Sequence, residues 1–170
     1  AYEDAVREAV AFNGPVYLRL YRESTHVSNS PDLPALAIGK IRQLSRGKDA
    51  VIFATGLMVE IALRASLELR KDYINAAVID CASIKPRDVD GILSVICQGK
   101  TVITAENHSI VGGLGSAIAE VIASNNINRP FFRVGVQDCF AEGGSRNFLF
   151  KKYGLTSDDI IAKVKEGLAK

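Results

Sequence analysis

The sequence predicts a three-layer α/β fold built on a doubly wound, mostly parallel sheet of five strands with one antiparallel edge strand. Two observations carry that expectation. From residue 50 onward, short β-branched and apolar runs alternate with segments whose apolar residues recur at helical spacing, a pattern that builds parallel sheets with right-handed crossovers. The second is the stretch 101–123, TVITAENHSIVGGLGSAIAEVIA. Here 101–104 reads as a strand, 106–109 as a polar segment, and Gly112, Gly113 and Gly115 as the entry to a helix. Gly115, Ser116, Ala117 and Ala119 are small enough to let that helix lie close on a sheet, and Leu114, Ile118, Val121 and Ile122 supply its apolar face. The junction falls where the carboxyl end of a parallel strand meets a helix N-terminus, an edge that commonly holds ligands.

The chain opens with AYEDAVREAVAFN, in which Ala5, Val6, Ala9, Val10 and Phe12 form the apolar face of a helix with neither a cap nor an initiator Met. Val16, Leu18 and Leu20 then alternate with Tyr17, Arg19 and Tyr21 as in a strand. One helix and one strand cannot bury themselves, so 1–22 is expected to be the last unit of a preceding α/β domain whose beginning is truncated. Residues 23–37, ESTHVSNSPDLPALA, have a linker's composition, which leaves 38–170 as the domain proper.

Within it, 38–44 and 50–55 read as strands joined by turn residues in a hairpin, making one edge antiparallel. A helix over 57–71, a strand over 76–80 and a loop over 81–87 follow. Asp88 and Asp90 suit the positive end of a helix over 88–97. After the focal strand and helix come a strand over 131–136 and a short helix over 145–153 with Gly154 as its C-cap. Thr156 caps the last helix, with Asp158 and Asp159 in its first turn and Lys163, Lys165 and Lys170 toward its end. No internal repeat is found.

Composition narrows the function classes. At 48% hydrophobic and 24% charged residues over 170 positions, the chain suits a compact domain with a sizeable core. Its net charge of +2 is small and its Lys and Arg are scattered among Asp and Glu, which excludes a basic stripe for nucleic acid. No apolar run reaches the ~18 residues needed to span a bilayer, and the start lacks a signal peptide's layout, so a cytoplasmic location away from membranes is expected. Cys81, Cys97 and Cys139 are odd in number and lie in apolar neighbourhoods, which reads as buried free thiols of a reducing compartment.

The glycine cluster invites a dinucleotide reading through Gly113-x-Gly115, with Asp138 in place for a ribose contact. That reading fails at Ile118, which stands where the fingerprint needs Gly or Ala. Small residues placed for close packing are the favoured interpretation. Neither His26 nor His108 has a Cys, Asp or Glu at metal-ligand spacing, so no metal is expected. His108 and Ser109 are adjacent on one loop and no G-x-S-x-G elbow exists, so no catalytic residue is assigned. The His108 imidazole could serve acid–base chemistry, but a capping or partner contact is favoured. Arg22 could offer a bidentate fork to a phosphate or carboxylate, and from the residue pattern alone it reads as an exposed strand-end charge.

Residues 106–120, ENHSIVGGLGSAIAE, resemble the E-x-H-S-I-x-G-G-L-G segment in the C-terminal domain of transketolases. The likeness is greatest to the split bacterial type, in which two polypeptides make up one enzyme. ATG at 54–56, IKPRD at 84–88, GVQDCFAEGG at 135–144 and KKYGLT at 151–156 follow in that family's order and spacing. The resemblance covers essentially the whole chain, although single pieces are shared with deoxyxylulose-phosphate synthases and with β subunits of 2-oxoacid dehydrogenases.

The resemblance implies a transferase that depends on thiamine diphosphate and Mg²⁺ and moves a two-carbon ketol unit between sugar phosphates. Residues 1–22 would be the tail of its pyrimidine-binding domain and 38–170 its C-terminal domain. In the family, the G-D-G metal motif and the glutamate that activates the cofactor lie upstream, and neither occurs in this sequence. No cofactor is therefore expected on this chain alone, which would be inactive without its N-terminal subunit or domain. LYR at 20–22 matches the family's arginine at the end of the last pyrimidine-domain strand, which implies Arg22 as a sugar-phosphate contact; Tyr21 before it and Glu23 after it depart from common forms. The domain would support a homodimer, with Glu106, His108, Gly112 and Gly113 in its subunit-contact segment. The alternatives are a non-catalytic assembly or regulatory module of the same fold, or the C-terminal domain of a deoxyxylulose-phosphate synthase, which would use pyruvate as donor.

Overall fold

The structure, a computed structural model, describes residues 2–21 and 35–170. Five strands form one mixed sheet: β1 (Arg42–Ser45), β2 (Ala50–Ala54), β3 (Ala76–Asp80), β4 (Thr101–Ser109) and β5 (Phe131–Val136), in the spatial order β1-β3-β2-β4-β5. β2, β3, β4 and β5 are parallel, and β1 lies antiparallel on the β3 edge. This is the fold class the alternating pattern predicts. Every residue of AVIFA in β2 and of AAVID in β3 is buried, as central parallel strands covered on both faces require.

Helices cover both sides because side chains on a strand point alternately to opposite faces. Ala50, Ile52, Ala54, Val78, Ile103 and Ala105 pack under α2 (Met58–Lys71) and α6 (Ser157–Leu168). Val51, Phe53, Ala77, Ile79 and Val102 face α3 (Val89–Ile96) and α4 (Leu114–Ser124). Among the described side chains, none in α1 (Tyr2–Ala11) or α5 (Arg146–Lys152) is buried. No helix among the described residues is long and apolar enough to cross a membrane.

Sequence-predicted caps recur in place. The Asp88 carboxylate accepts from the Gly91 amide at 3.2 Å at the start of α3. Thr156 and Asp159 form a reciprocal capping box at the start of α6, at 2.9 and 3.4 Å. Gly154 ends the α5 turn at φ +66°, where a side chain would be strained.

Four expectations are corrected. The hairpin does not form: β1 begins at Arg42 and pairs with β3, aligning Arg42 with Asp80, because both edges of β2 are taken by the parallel strands β3 and β4. Ser45 fastens the edge strand, accepting from the Val78 amide at 3.0 Å. Residues 16–21 belong to no strand, and Val16, Leu18 and Leu20 are 40%, 39% and 50% exposed; a strand forms only where a neighbour satisfies its backbone groups, and no described strand lies beside them. The polar run 106–109, read as loop, continues β4 through Ser109. Of the three cysteines, Cys81 is buried, whereas Cys97 and Cys139 are exposed; Cys97 follows the end of α3 and Cys139 lies in the exposed loop after β5, so apolar neighbours in sequence do not cover them.

Candidate functional site

Strand order reverses between β2 and β4, so the carboxyl edge there is the topological switch point at which open α/β sheets bind ligands. Three things meet at it: the turn after β2 with Gly56, the end of β4 with Glu106 and Asn107, and the glycine loop that opens α4.

The α4 N-terminus is already occupied by the chain's own carboxylate. The amides of Leu114 and Gly115 each donate to Glu106, to Oε2 and Oε1 respectively, at 2.7 Å. Glu106 is 1% exposed. Free N–H groups and the helix dipole make such an end an anion site, and here β4 delivers the anion. The glycines serve this arrangement. A Cβ at Gly113 would collide with Oε2 of Glu106, one at Gly115 would come within 2.7 Å of Arg133 Cδ, and one at Gly135 would press on Ile110 and on Glu106 Cγ. Gly112 differs, since open space surrounds it and its φ of +75° is what calls for glycine.

The remaining loop groups are satisfied locally. Ser109 Oγ accepts from the Val111 amide at 3.1 Å, Ser116 Oγ accepts from the Gly112 amide at 3.0 Å, and Arg133 Nη1 donates to the Ile110 carbonyl at 3.0 Å. Ile118, which broke the dinucleotide fingerprint, is a core residue at 1% exposure. The loop is therefore a packed corner with no open anion cradle. At its surface stand His108, Val111 and Gly112, while Gly113 and Glu106 are buried.

Across the switch point, the Tyr21 hydroxyl donates to Asn107 Oδ1 at 2.9 Å. Its ring lies so close over Gly56 (φ +58°) that a Cβ there would overlap it, and the Arg19 guanidinium sits 5.6 Å from the ring centre. A shallow cleft of about 320 Å³ opens beside this contact, walled by Tyr21, Leu57, Asn107, Arg146, Leu149 and Phe150. The expected site residue nearest this region in sequence, Arg22, lies outside the described residues, as do Glu23, His26 and most of the 23–37 linker.

A second polar feature escaped sequence reasoning altogether. Arg42 Nε donates to Asp80 Oδ2 at 3.1 Å, Nη2 donates to the same oxygen, and both residues are 6% exposed. Burial pushes the Asp80 carboxyl up, against the pull of Arg42. Only the β1–β3 pairing brings residues 38 positions apart into contact, and no local motif announces it. Beside it, the Cys81 thiol is pushed well up by burial and by the charges of Asp80 and Asp88, which makes it a poor nucleophile. Among the described residues, no three His, Cys, Asp or Glu side chains come together as a metal site.

Other motif residues act as structure. Gly56 of ATG receives Tyr21. In IKPRD, Arg87 pairs with Glu120 at 2.6 Å and donates to the Ala117 carbonyl at 3.3 Å, tying the loop to α4. Leu155 of KKYGLT is buried at 3% exposure between Gly154 and the α6 cap.

These motifs and this fold recur in known proteins. A family model described as the transketolase C-terminal domain matches residues 39–160. A protein of Methanocaldococcus jannaschii, provisionally named a transketolase C-terminal section, is 39% identical over 170 residues, covering 99% of this chain and 52% of its own length. The 6-deoxy-6-sulfo-D-fructose transketolase subunit SqwH of a Clostridium species is 40% identical over 163 residues, covering 95% of this chain and 50% of its own length. Among solved structures, a split-gene transketolase described as an inactive β4 tetramer superposes with a TM-score of 0.90 at 40% identity, over 98% of this chain and 54% of that one. The chain thus spans about half the length of each of these three relatives. In fold, in motif order and in the family model that covers most of its length, the chain belongs to the transketolase C-terminal domain family.

Proposed function

We propose that this chain is the C-terminal part of a thiamine diphosphate-dependent transketolase, which transfers a two-carbon ketol unit between sugar phosphates, and that it contributes scaffold and subunit contact while chemistry occurs upstream. The observation that carries this reading is Glu106: its carboxylate fills the one glycine-framed helix N-terminus at the switch point, so the described residues do not fit the pyrophosphate and Mg²⁺ of the cofactor. Thiamine diphosphate would supply the carbanion chemistry, held by the N-terminal subunit or domain.

Residues 1–22 fit the tail of a preceding pyrimidine-binding domain. Val10 is 83% exposed and Tyr17 90%, and Val6, Phe12, Val16, Leu18 and Leu20 are also exposed; that much apolar surface on one short segment suits a partner that covers it. Arg22 would contact the sugar phosphate, while His108 and Gly112 would give the surface, and Glu106 and Gly113 the shape, of a homodimer contact. The reaction belongs with pentose phosphate metabolism in the cytoplasm.

The experiment mixes the chain with the upstream polypeptide, thiamine diphosphate and Mg²⁺ and assays ketol transfer between sugar phosphates. Activity is expected only in the full mixture; transfer by the chain alone, or none in any mixture, overturns the reading. One further arm is warranted by similarity to the 1-deoxy-D-xylulose-5-phosphate synthase of Heliobacterium modesticaldum, 32% identical over 162 residues and matched over 25% of its length. Turnover with pyruvate as donor would place the chain with that enzyme.

A further inference from the structure

Asn107 lies in β4 and Gly56 in the turn after β2, yet both are used by one side chain from outside the domain. The Tyr21 hydroxyl donates to Asn107 Oδ1 at 2.9 Å, across 86 positions of sequence. The ring rests where Gly56 has no Cβ, and Gly56 also needs its left-handed φ of +58°, so two separate demands converge on that glycine. The segment is tied at a second point, where the Ile38 amide donates to Glu8 Oε2 at 3.1 Å. Elsewhere it is loosely held: residues 14–20 are all exposed, and Tyr21 is the first residue of the run to become partly buried.

We propose that Tyr21 is a positioning residue whose bond to Asn107 and seat on Gly56 fix the end of the upstream segment on the sheet's carboxyl edge, so that this domain sets the enzyme's affinity for a phosphorylated sugar. The link is covalent, because Arg22 follows Tyr21 directly. The inference rests on the reading of Arg22 as the phosphate contact. It assigns the C-terminal domain a part in substrate affinity without any group that touches substrate. A bidentate arginine–phosphate contact depends on the direction of the guanidinium fork as well as on its charge, so a loosened anchor one residue away weakens binding while leaving the reacting centre intact.

The test uses the complete enzyme, this chain with its upstream polypeptide, thiamine diphosphate and Mg²⁺. Tyr21→Phe removes only the hydroxyl and Asn107→Ala only the acceptor. Each is expected to raise KM for a phosphorylated aldose acceptor about three- to tenfold, the scale of one hydrogen bond. For both variants kcat should stay within about twofold and KM for glycolaldehyde, which has no phosphate, should be unchanged. The double variant should be no worse than the worse single one, because both remove the same bond. Independently of turnover, amide hydrogen exchange at residues 17–21 should quicken in Tyr21→Phe.

Arg22→Ala in the same assay separates the two ways of failing. If Arg22→Ala raises the phosphorylated-acceptor KM and the Tyr21 and Asn107 variants do not, the positioning role is wrong and the Arg22 reading stands. Should Arg22→Ala leave that KM unchanged, the Arg22 reading fails and the inference falls with it. A loss of kcat at constant KM, or additive effects in the double variant, also overturns it.

Discussion

Glu106 and Gly115 lie nine residues apart at the end of β4 and the start of α4, and the amide of one donates to the carboxylate of the other at 2.7 Å. With the equal bond from Leu114, one side chain closes a helix N-terminus that would otherwise attract an anion from solution. Glu106→Ala should leave both amides buried and unpaired, at about 1–3 kcal/mol each. Chemical denaturation should show a loss of roughly 2–5 kcal/mol, and Glu106→Gln should recover only part of it because a single amide oxygen can accept.

Two neighbouring glycines should respond differently to alanine. Gly113 has φ −93°, which any residue adopts, so the cost of Gly113→Ala is a collision, chiefly with Glu106 and secondarily with the Ser109 carbonyl oxygen at 2.9 Å. In the Glu106→Ala background that cost should shrink by more than about 1 kcal/mol, a coupling that a double-mutant cycle of unfolding free energies would read. Gly112→Ala meets no atom and pays only for its φ of +75°, about 1 kcal/mol, with no coupling to residue 106.

Asp88 should make stability sensitive to acid. Burial raises its carboxyl pKa, but the Ile41 and Gly91 amides and Lys40 more than offset this and leave it below the usual 3.8. The folded chain thus keeps this charge at lower pH than the unfolded chain does, so the stabilisation is complete above the unfolded value and is lost as pH falls through the folded one. Asp88→Asn should cost about 1–2 kcal/mol at pH 7. Unfolding midpoints of variant and parent should converge below about pH 4.

The Arg42–Asp80 pair should behave with the opposite sign. Arg42→Ala strands a buried carboxylate and should cost about 3–5 kcal/mol, whereas Arg42→Met with Asp80→Leu should cost much less than either single change. Burial already raises the Asp80 pKa against Arg42, and losing Arg42 should raise it further. Folding then favours proton uptake, so Arg42→Ala should regain stability as pH falls toward the unfolded carboxyl value and lose it as pH rises.

Thiol labelling should separate the cysteines. Cys97 and Cys139 are exposed and Cys81 is buried with a raised pKa, so two equivalents of a disulfide reagent should react in the native chain and the third only on unfolding. Rapid labelling of all three would contradict the placement of Cys81 between β3 and α3.

Local patterns made much of this legible. Runs such as AVIFA and AAVID marked buried strands, and Asp88, Gly154 and Thr156 marked helix ends, because period, capping chemistry and positive φ act within a few residues. The pairing of β1 was not legible: a turn-rich connection reads as a hairpin, and nothing in 38–55 says that both edges of β2 are claimed by strands from 76–80 and 101–109. Glu106 was visible as a polar residue before a glycine cluster and as part of a subunit-contact motif, but its capture of the α4 amides was not, because that depends on the distance between two element ends.

By itself, then, the sequence determined the α/β class, the order of elements from residue 38 onward and the family motifs, since each of these is a repeat or a short-range constraint. Only the tertiary structure decided that Glu106 fills the glycine-framed corner, that Tyr21 rests on Gly56 and bonds Asn107, and that Arg42 meets Asp80. Those contacts join groups from separate elements, and a hydrogen bond tolerates only a few tenths of an ångström of misplacement, so they exist only once the sheet has brought the element ends together.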